Sequence, residues 1–229
     1  NRSQLTLVPT SSQLQTLQRR GFEHLQLLTS GVDSHLFHPR QRDNALRTRW
    51  GLNDGDIAVL HRGRPNQLLA RSWNALRSRY PQRRLKLLLL DGGPHDTAPG
   101  ALVDSLQVEA ADAASLATLM ASTDLLLLAQ PGAVADGMVL QALASGLGIV
   151  AFDQGAAAQH IRHGHNGALA LPDDADSFAT ATTWLLEDPE TLRRVRLNAR
   201  QYAGRHSWSN ISQHLEGYLC SACASPWPN

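Results

Sequence analysis

The chain lacks an apolar run long enough to cross a bilayer; its densest stretch, Leu85 to Leu90, has the length of a strand and is interrupted by Lys86. It also lacks a charge excess, and a formal net charge of +1 argues against an electrostatically driven nucleic-acid binder. Cysteine is nearly absent. Cys220 and Cys223 form a Cys-x-x-Cys close to the end, but a zinc site would need further ligands, so the plain reading is two incidental thiols. Such scarcity points to a reducing compartment. No Gly-x-Gly-x-x-Gly is present, which removes support for dinucleotide binding. No Walker loop, zinc-protease motif or Ser-His-Asp order appears either. The chain begins at Asn1 and shows no signal peptide, so it reads as a fragment or as a chain trimmed at its N-terminus.

What is there suits one large domain, or one domain with an appendage: 229 residues, 42% of them hydrophobic. Leu5 to Pro9 is a short strand, Ser11 or Ser12 can cap a helix to about Arg20, and Gly21 ends it. Leu25 to Leu28 is a second strand, and Gly31 to Pro39 a turn-rich connector before a helix over Asn44 to Trp50. Strand and helix then alternate. Strands are expected at Ile57–Leu60, Leu85–Leu90, Leu125–Leu128, Gly148–Phe152 and Gly167–Leu171. Helices are expected at Leu68–Tyr80, Ala113–Ala121, Met138–Ala144, Ala156–Arg162, Asp174–Leu186, Pro189–Arg205 and Trp208–Leu219. Continuous hydrophobic strands spaced by amphipathic helices imply an α/β fold, a doubly wound parallel sheet covered on both faces.

In such sheets ligands bind beyond the carboxyl ends of the strands. Three loops fall there. Gln130-Pro-Gly132-Ala-Val-Ala-Asp136-Gly137 leads into the Met138 helix, whose first N–H groups suit a diphosphate, although a Pro-Gly turn alone would explain the glycines. Arg64, in His61-Arg-Gly63-Arg64-Pro65, could hold a phosphate with two parallel hydrogen bonds or be an ordinary surface charge. Asp91-Gly-Gly93-Pro94 is a third loop that a turn suffices to explain. His160-Ile-Arg-His163-Gly-His165 invites a metal reading, but with no carboxylate nearby a helix C-terminus stopped by Gly164 is the better account.

Several segments together resemble the retaining nucleotide-sugar glycosyltransferases of family 4, which have the GT-B fold. Gly31-Val-Asp33, with Phe37 and Pro39, is similar to the linker between the two Rossmann-like halves of that family. Gly63-Arg64 is similar to its Gly-Arg loop, Gly93-Pro94 to its Gly-Pro, and Ser122-Thr-Asp124 to its Ser-Ala-Asp. Leu140-Gln-Ala-Leu-Ala-Ser-Gly146 resembles its Leu-Glu-Ala-Met-Ala-Ser-Gly, Gly164-His-Asn166-Gly167 its Gly-x-Asn-Gly, and His206-Ser-Trp208 its Phe-Ser-Trp. The resemblance implies the C-terminal, donor-binding half of such an enzyme. Residues 1–40 would be the end of the acceptor domain and the linker, 41–205 the donor domain, and 206–229 a crossover helix and tail.

By the same resemblance, Gly63, Arg64, Gly93, Gly132, Gly137, Met138 and Gln141 would contact a nucleotide-sugar donor, which is substrate rather than cofactor. No metal is implied. The acceptor would be a glycan or a lipid-linked sugar, and the setting the bacterial cytoplasm, with membrane contact through the missing N-terminal domain. The family has two glutamates eight positions apart. Gln141 stands in place of the later one, which binds ribose, and Ala133 in place of the earlier one, which contacts the donor sugar. The lysine that follows the Gly-Arg loop is also missing. Three readings result: an active enzyme, a nucleotide-binding pseudo-glycosyltransferase, and a scaffold subunit.

Overall fold

The structure, a computed structural model, describes residues 3–91, 102–130 and 136–224. It opens with a small parallel unit, β1 (Thr6–Val8), α1 (Ser11–Arg19) and β2 (Leu25–Leu27), in which Thr6 lies opposite Leu25 and Val8 opposite Leu27. The cap of α1 is Thr10 rather than either serine, because the Thr10 side chain accepts from the Gln13 N–H at 3.1 Å. Val8 is buried, whereas Leu5, Leu7, Leu14 and Leu17 stay half-buried.

A 3-10 turn (Pro39–Gln41) and α2 (Asn44–Arg49) lead into the main sheet. There the chain runs β3 (Ile57–Arg62), α3 (Gln67–Arg79), β4 (Leu85–Leu90), β5 (Ser105–Val108), α4 (Ala113–Ser122) and β6 (Leu125–Leu128). It continues through α5 (Asp136–Ala144), β7 (Gly148–Phe152), α6 (Gly155–His160), β8 (Ala168–Ala170), α7 (Ala175–Glu187) and α8 (Pro189–Gly204) to α9 (Trp208–Ala224). All six strands from β3 to β8 are parallel, in the order β5-β4-β3-β6-β7-β8. This is the doubly wound order in which the chain reverses direction across the sheet between β3 and β6.

The leucine-rich strands are apolar throughout because both of their faces are covered. Successive side chains alternate between two cores. Leu60, Leu88, Leu90, Leu126 and Leu128 face one side with Met120, Val139 and Leu143 from α4 and α5. Val59, Leu87, Leu89, Leu125 and Leu127 face the other with Trp73 of α3 and Phe178 of α7. Strand β5 was not expected from the sequence. Its Ser105-Leu-Gln-Val108 mixes polar and apolar residues, as an edge strand covered on one side does.

At the amino edge of the sheet one carboxylate gathers distant parts of the chain. Asp124 is buried just before β6 and accepts from the Ala58 N–H at 2.9 Å and from Arg47 at 2.9 Å. Arg196 of α8 binds its other oxygen at 3.0 Å, and Arg42 reaches it at 3.3 Å. Arg47 is itself buried and also donates to the carbonyls of Ser122 and Asp56.

The residues before α2 and after α8 run side by side. The Val32 N–H donates to the His206 carbonyl at 2.8 Å, and the Trp208 N–H to the Val32 carbonyl at 3.3 Å. A β-carbon on Gly31 would lie 2.7 Å from the Trp208 indole, so only glycine permits this approach. Of the apolar face expected on α9, Ile211 is buried, Leu215 half-buried and Leu219 exposed. Tyr218 of α9 donates to the Leu27 carbonyl in β2 at 3.3 Å.

Candidate functional site

Strands β3 and β6 pair only from Val59–Leu125 to His61–Leu127. Beyond that point β3 stays with β4, where Arg62 lies opposite Leu90, and β6 stays with β7. The two halves of the sheet therefore part at their carboxyl ends, and the parting is the crevice where a doubly wound sheet holds a ligand.

Side chains replace the lost ladder. His61, fully buried in the floor, donates from Nδ1 to the Leu127 carbonyl at 2.9 Å. Burial lowers its pKa, partly offset by the Leu127 and Arg64 backbone, so the ring is neutral; Nε2 has no hydrogen-bond partner among the described residues. Asn66 donates to the Ala129 carbonyl across the gap, while its oxygen caps α3 through the Leu69 N–H at 2.8 Å. The role of His61 was missed in the sequence, because a lone histidine within an apolar strand gives no signal of what it faces.

These ties fix the loop that carries Arg64. Gly63 has φ +97°, its N–H donates to the Leu90 carbonyl at 2.8 Å, and a β-carbon there would collide with the Gln130 amide. Arg64 is exposed, and its guanidinium has no partner among the described residues. The opposite wall is the start of α5. The N–H groups of Gly137 and Met138 belong to its first turn, have no acceptor within the helix, and carry part of the positive end of its dipole. Gln141, four residues after Gly137, falls on the same face of α5, and no described group binds its side chain. The other expected contacts, Gly93, Gly132 and Ala133, lie outside the described residues.

Asp136, also in the first turn of α5, brings a carboxylate to this edge, and burial raises its pKa. His160 Nε2 lies 4.0 Å from it. Burial and then the neighbouring His206 push the His160 pKa down to about 4, and its Nδ1 meets the Tyr202 hydroxyl at 3.2 Å. Tyr202 in turn stacks on His206 with ring centres 4.4 Å apart.

The histidine segment is not the helix C-terminus expected from sequence. Helix α6 ends at His160, and Gly164 sits in a separate turn with φ +76°. Asn166 closes that turn, accepting from the Arg162 N–H and donating to the His160 carbonyl at 2.9 Å. Both ends of its amide serve the backbone, which makes it a folding residue. His163 stacks on Trp184 instead of turning toward His165. Among the described residues no group of three His, Cys, Asp or Glu side chains could hold a metal, and Cys220 and Cys223 are exposed free thiols on α9.

Two cavities of about 640 Å³ each lie at the amino edge of the sheet, away from this crevice. At the carboxyl edge the cavities beside Asn66 and beside Asp91 measure about 280 and 310 Å³.

The fold has counterparts in known proteins. The chain is 27% identical to the sulfoquinovosyl transferase SQD2 of Arabidopsis thaliana, over 97% of this chain and 46% of that protein. It spans about half the length of the curated relatives it matches. Sucrose-phosphate synthase from Thermosynechococcus elongatus superimposes with a TM-score of 0.72 at 20% identity, covering 96% of this chain and 58% of that one. Anabaena HepE, solved with UDP and glucose, gives 0.70 at 19% identity over 96% and 64%. Both likenesses establish the fold. The family described as glycosyl transferases group 1 matches residues 58–188, from β3 to the end of α7. That is more than half of the sequence, and the chain belongs to the group 1 glycosyl transferases, as a C-terminal domain of the GT-B fold.

Proposed function

We propose that this chain is the donor-binding half of a retaining, family 4 glycosyltransferase that moves a sugar from a nucleotide-sugar to a glycan or lipid-linked acceptor. One observation carries the reading: at the β3/β6 crevice Arg64, whose guanidinium has no partner among the described residues, stands on one wall and the N-terminal turn of α5 begins the other. Arg64 would hold one phosphate through its planar fork, and the Gly137 and Met138 N–H groups the other. Gln141 would hydrogen-bond the ribose, as an amide still can. Gly63, Gly93 and Gly132 would let the backbone approach the donor. The bound UDP of HepE supports a nucleotide-sugar as substrate.

Residues 1–40 are assigned to the end of an acceptor domain and its linker, 41–205 to the donor domain and 206–229 to a crossover helix and tail. The half-buried leucines of β1 and α1 support that division, since a parallel unit normally has both faces covered. The acceptor domain would bring the cytoplasmic membrane face within reach. A second reading, an inactive pseudo-glycosyltransferase that binds nucleotide or scaffolds a partner, is favoured by Ala133 and Gln141 in place of two glutamates and by the missing lysine.

Calorimetric titration with UDP, GDP and ADP tests binding. The expected dissociation constant is about 0.1–1 mM, equivalent to about 5 kcal/mol. Arg64→Ala should abolish binding, and Gln141→Glu should tighten it or leave it unchanged. No heat at several millimolar of any nucleotide would refute donor binding. Assaying the intact protein against a panel of nucleotide-sugars then separates the active reading from the inactive one.

A further inference from the structure

We propose a second anion site, for a phosphate group, in the basic cavity at the amino edge of the sheet, at the opposite end of the strands from the nucleotide crevice. The cavity, about 640 Å³, is lined where α3 ends and β4 begins. Arg77, Arg83, Arg84 and Lys86 face a single carboxylate, Asp104. The chain as a whole carries only +1, so this clustering is local and is balanced by acidic residues elsewhere.

How each cation is held sets its availability. Arg77 is matched by Asp104 at 2.9 Å. Arg83 donates to the Leu186 carbonyl at 2.7 Å and lies over the Tyr80 ring at 4.9 Å. Arg84 donates to the Gly51 carbonyl at 3.2 Å. Carbonyl acceptors orient a guanidinium without cancelling its charge, so both keep N–H groups and a full positive charge for an incoming anion. Lys86 is half-buried, has no partner among the described residues, and is the sole lysine of the sequence. The C-terminal end of α3 opposes an anion with about half a negative charge. Three unmatched cations outweigh it.

The chemistry fits a phosphate. Guanidinium forks meet its oxygens in pairs, and an ammonium adds a point charge. A single carboxylate ligand would leave positive charge unmatched. Arg84 is exposed at the rim, so the phosphate can come from a soluble phosphorylated compound or from an anionic lipid headgroup. Nothing here depends on donor binding at Arg64.

Because the sequence holds one lysine, amine acylation followed by peptide mass spectrometry reads this cavity alone, apart from the N-terminal amine. The probes are pyrophosphate, and vesicles of phosphatidylglycerol against phosphatidylcholine. Slower Lys86 acylation with pyrophosphate assigns a soluble phosphate, and slower acylation with phosphatidylglycerol vesicles alone assigns a headgroup; either supports the site. Arg84→Gln should weaken the protecting anion about fivefold, the equivalent of ~1 kcal/mol per charge. Arg64→Ala should leave the protection intact. No protection by either probe overturns the proposal, as does protection that Arg84→Gln leaves unchanged.

Discussion

Replacing Asp124 by asparagine keeps the shape of the side chain and removes its charge. Three guanidiniums then face one another at the amino edge of the sheet. Arg42 and Arg196 retain partial access to water, with side-chain exposures of 31% and 26%, so each contributes little. Arg47 decides the outcome. Its side chain is 3% exposed, and without the Asp124 carboxylate its charge meets only neutral acceptors, the Ser122 and Asp56 carbonyls among them. Breaking such a buried pair from one side costs about 3–5 kcal/mol. Domains of this size hold about 5–15 kcal/mol in total, and the melting temperature should fall by roughly 10 °C. Urea unfolding should show a lower midpoint with an unchanged slope. Arg47→Met added to Asp124→Asn should recover part of the loss, since it removes the stranded charge. A loss below about 1 kcal/mol, or a double variant no more stable than the single one, would refute the reasoning.

Gly63→Ala forces an L side chain to φ +97° and against Gln130, and should cost about 1–3 kcal/mol in urea unfolding together with the loss of UDP binding. Asn66→Ala removes the α3 cap and leaves the Ala129 carbonyl without its donor; about 2–3 kcal/mol should be lost, and Asn66→Asp should restore only the cap. His160 stays neutral in the fold down to about 4, while the unfolded chain protonates near 6.5. Its contribution is therefore complete above that upper value and is lost as pH falls through the window, by about 2–3 kcal/mol at pH 4.5. Urea titrations at pH 7 and 4.5 should show this slope in the wild type, and a smaller one in His160→Gln. Deleting the chain from Ser207 onward exposes the partners of Ile211 and should lower stability by about 2–3 kcal/mol, read by thermal denaturation.

The sheet was legible because leucine and valine runs of strand length, each followed by a helical period, admit few other folds. β5 escaped because Gln107 and Ser105 dilute its pattern at an edge. Arg64 follows β3 by two residues, and that position in sequence becomes the carboxyl edge in space. What could not be read was long-range. Arg42, Arg47 and Arg196 meet on Asp124 from far-separated parts of the chain, and no local pattern records the meeting. The histidine segment misled for a related reason. Its helix stops early because the Asn166 amide captures the backbone at Arg162 and His160, and a spacing rule for helix ends does not count side-chain competitors.

The paired segments at Val32 and Ser207 have a mechanical consequence. Two separate tethers between bodies would allow sliding and twisting; two tethers zipped together allow rotation about one line. The β1–β2 unit and α9 are joined by the Tyr218 bond to Leu27, so the two would swing as one lever. Gln159 of α6 would act as a catch on that lever. Its amide holds both the Pro9 carbonyl and the Ser11 N–H at 3.2 Å, and an outward swing must release both together.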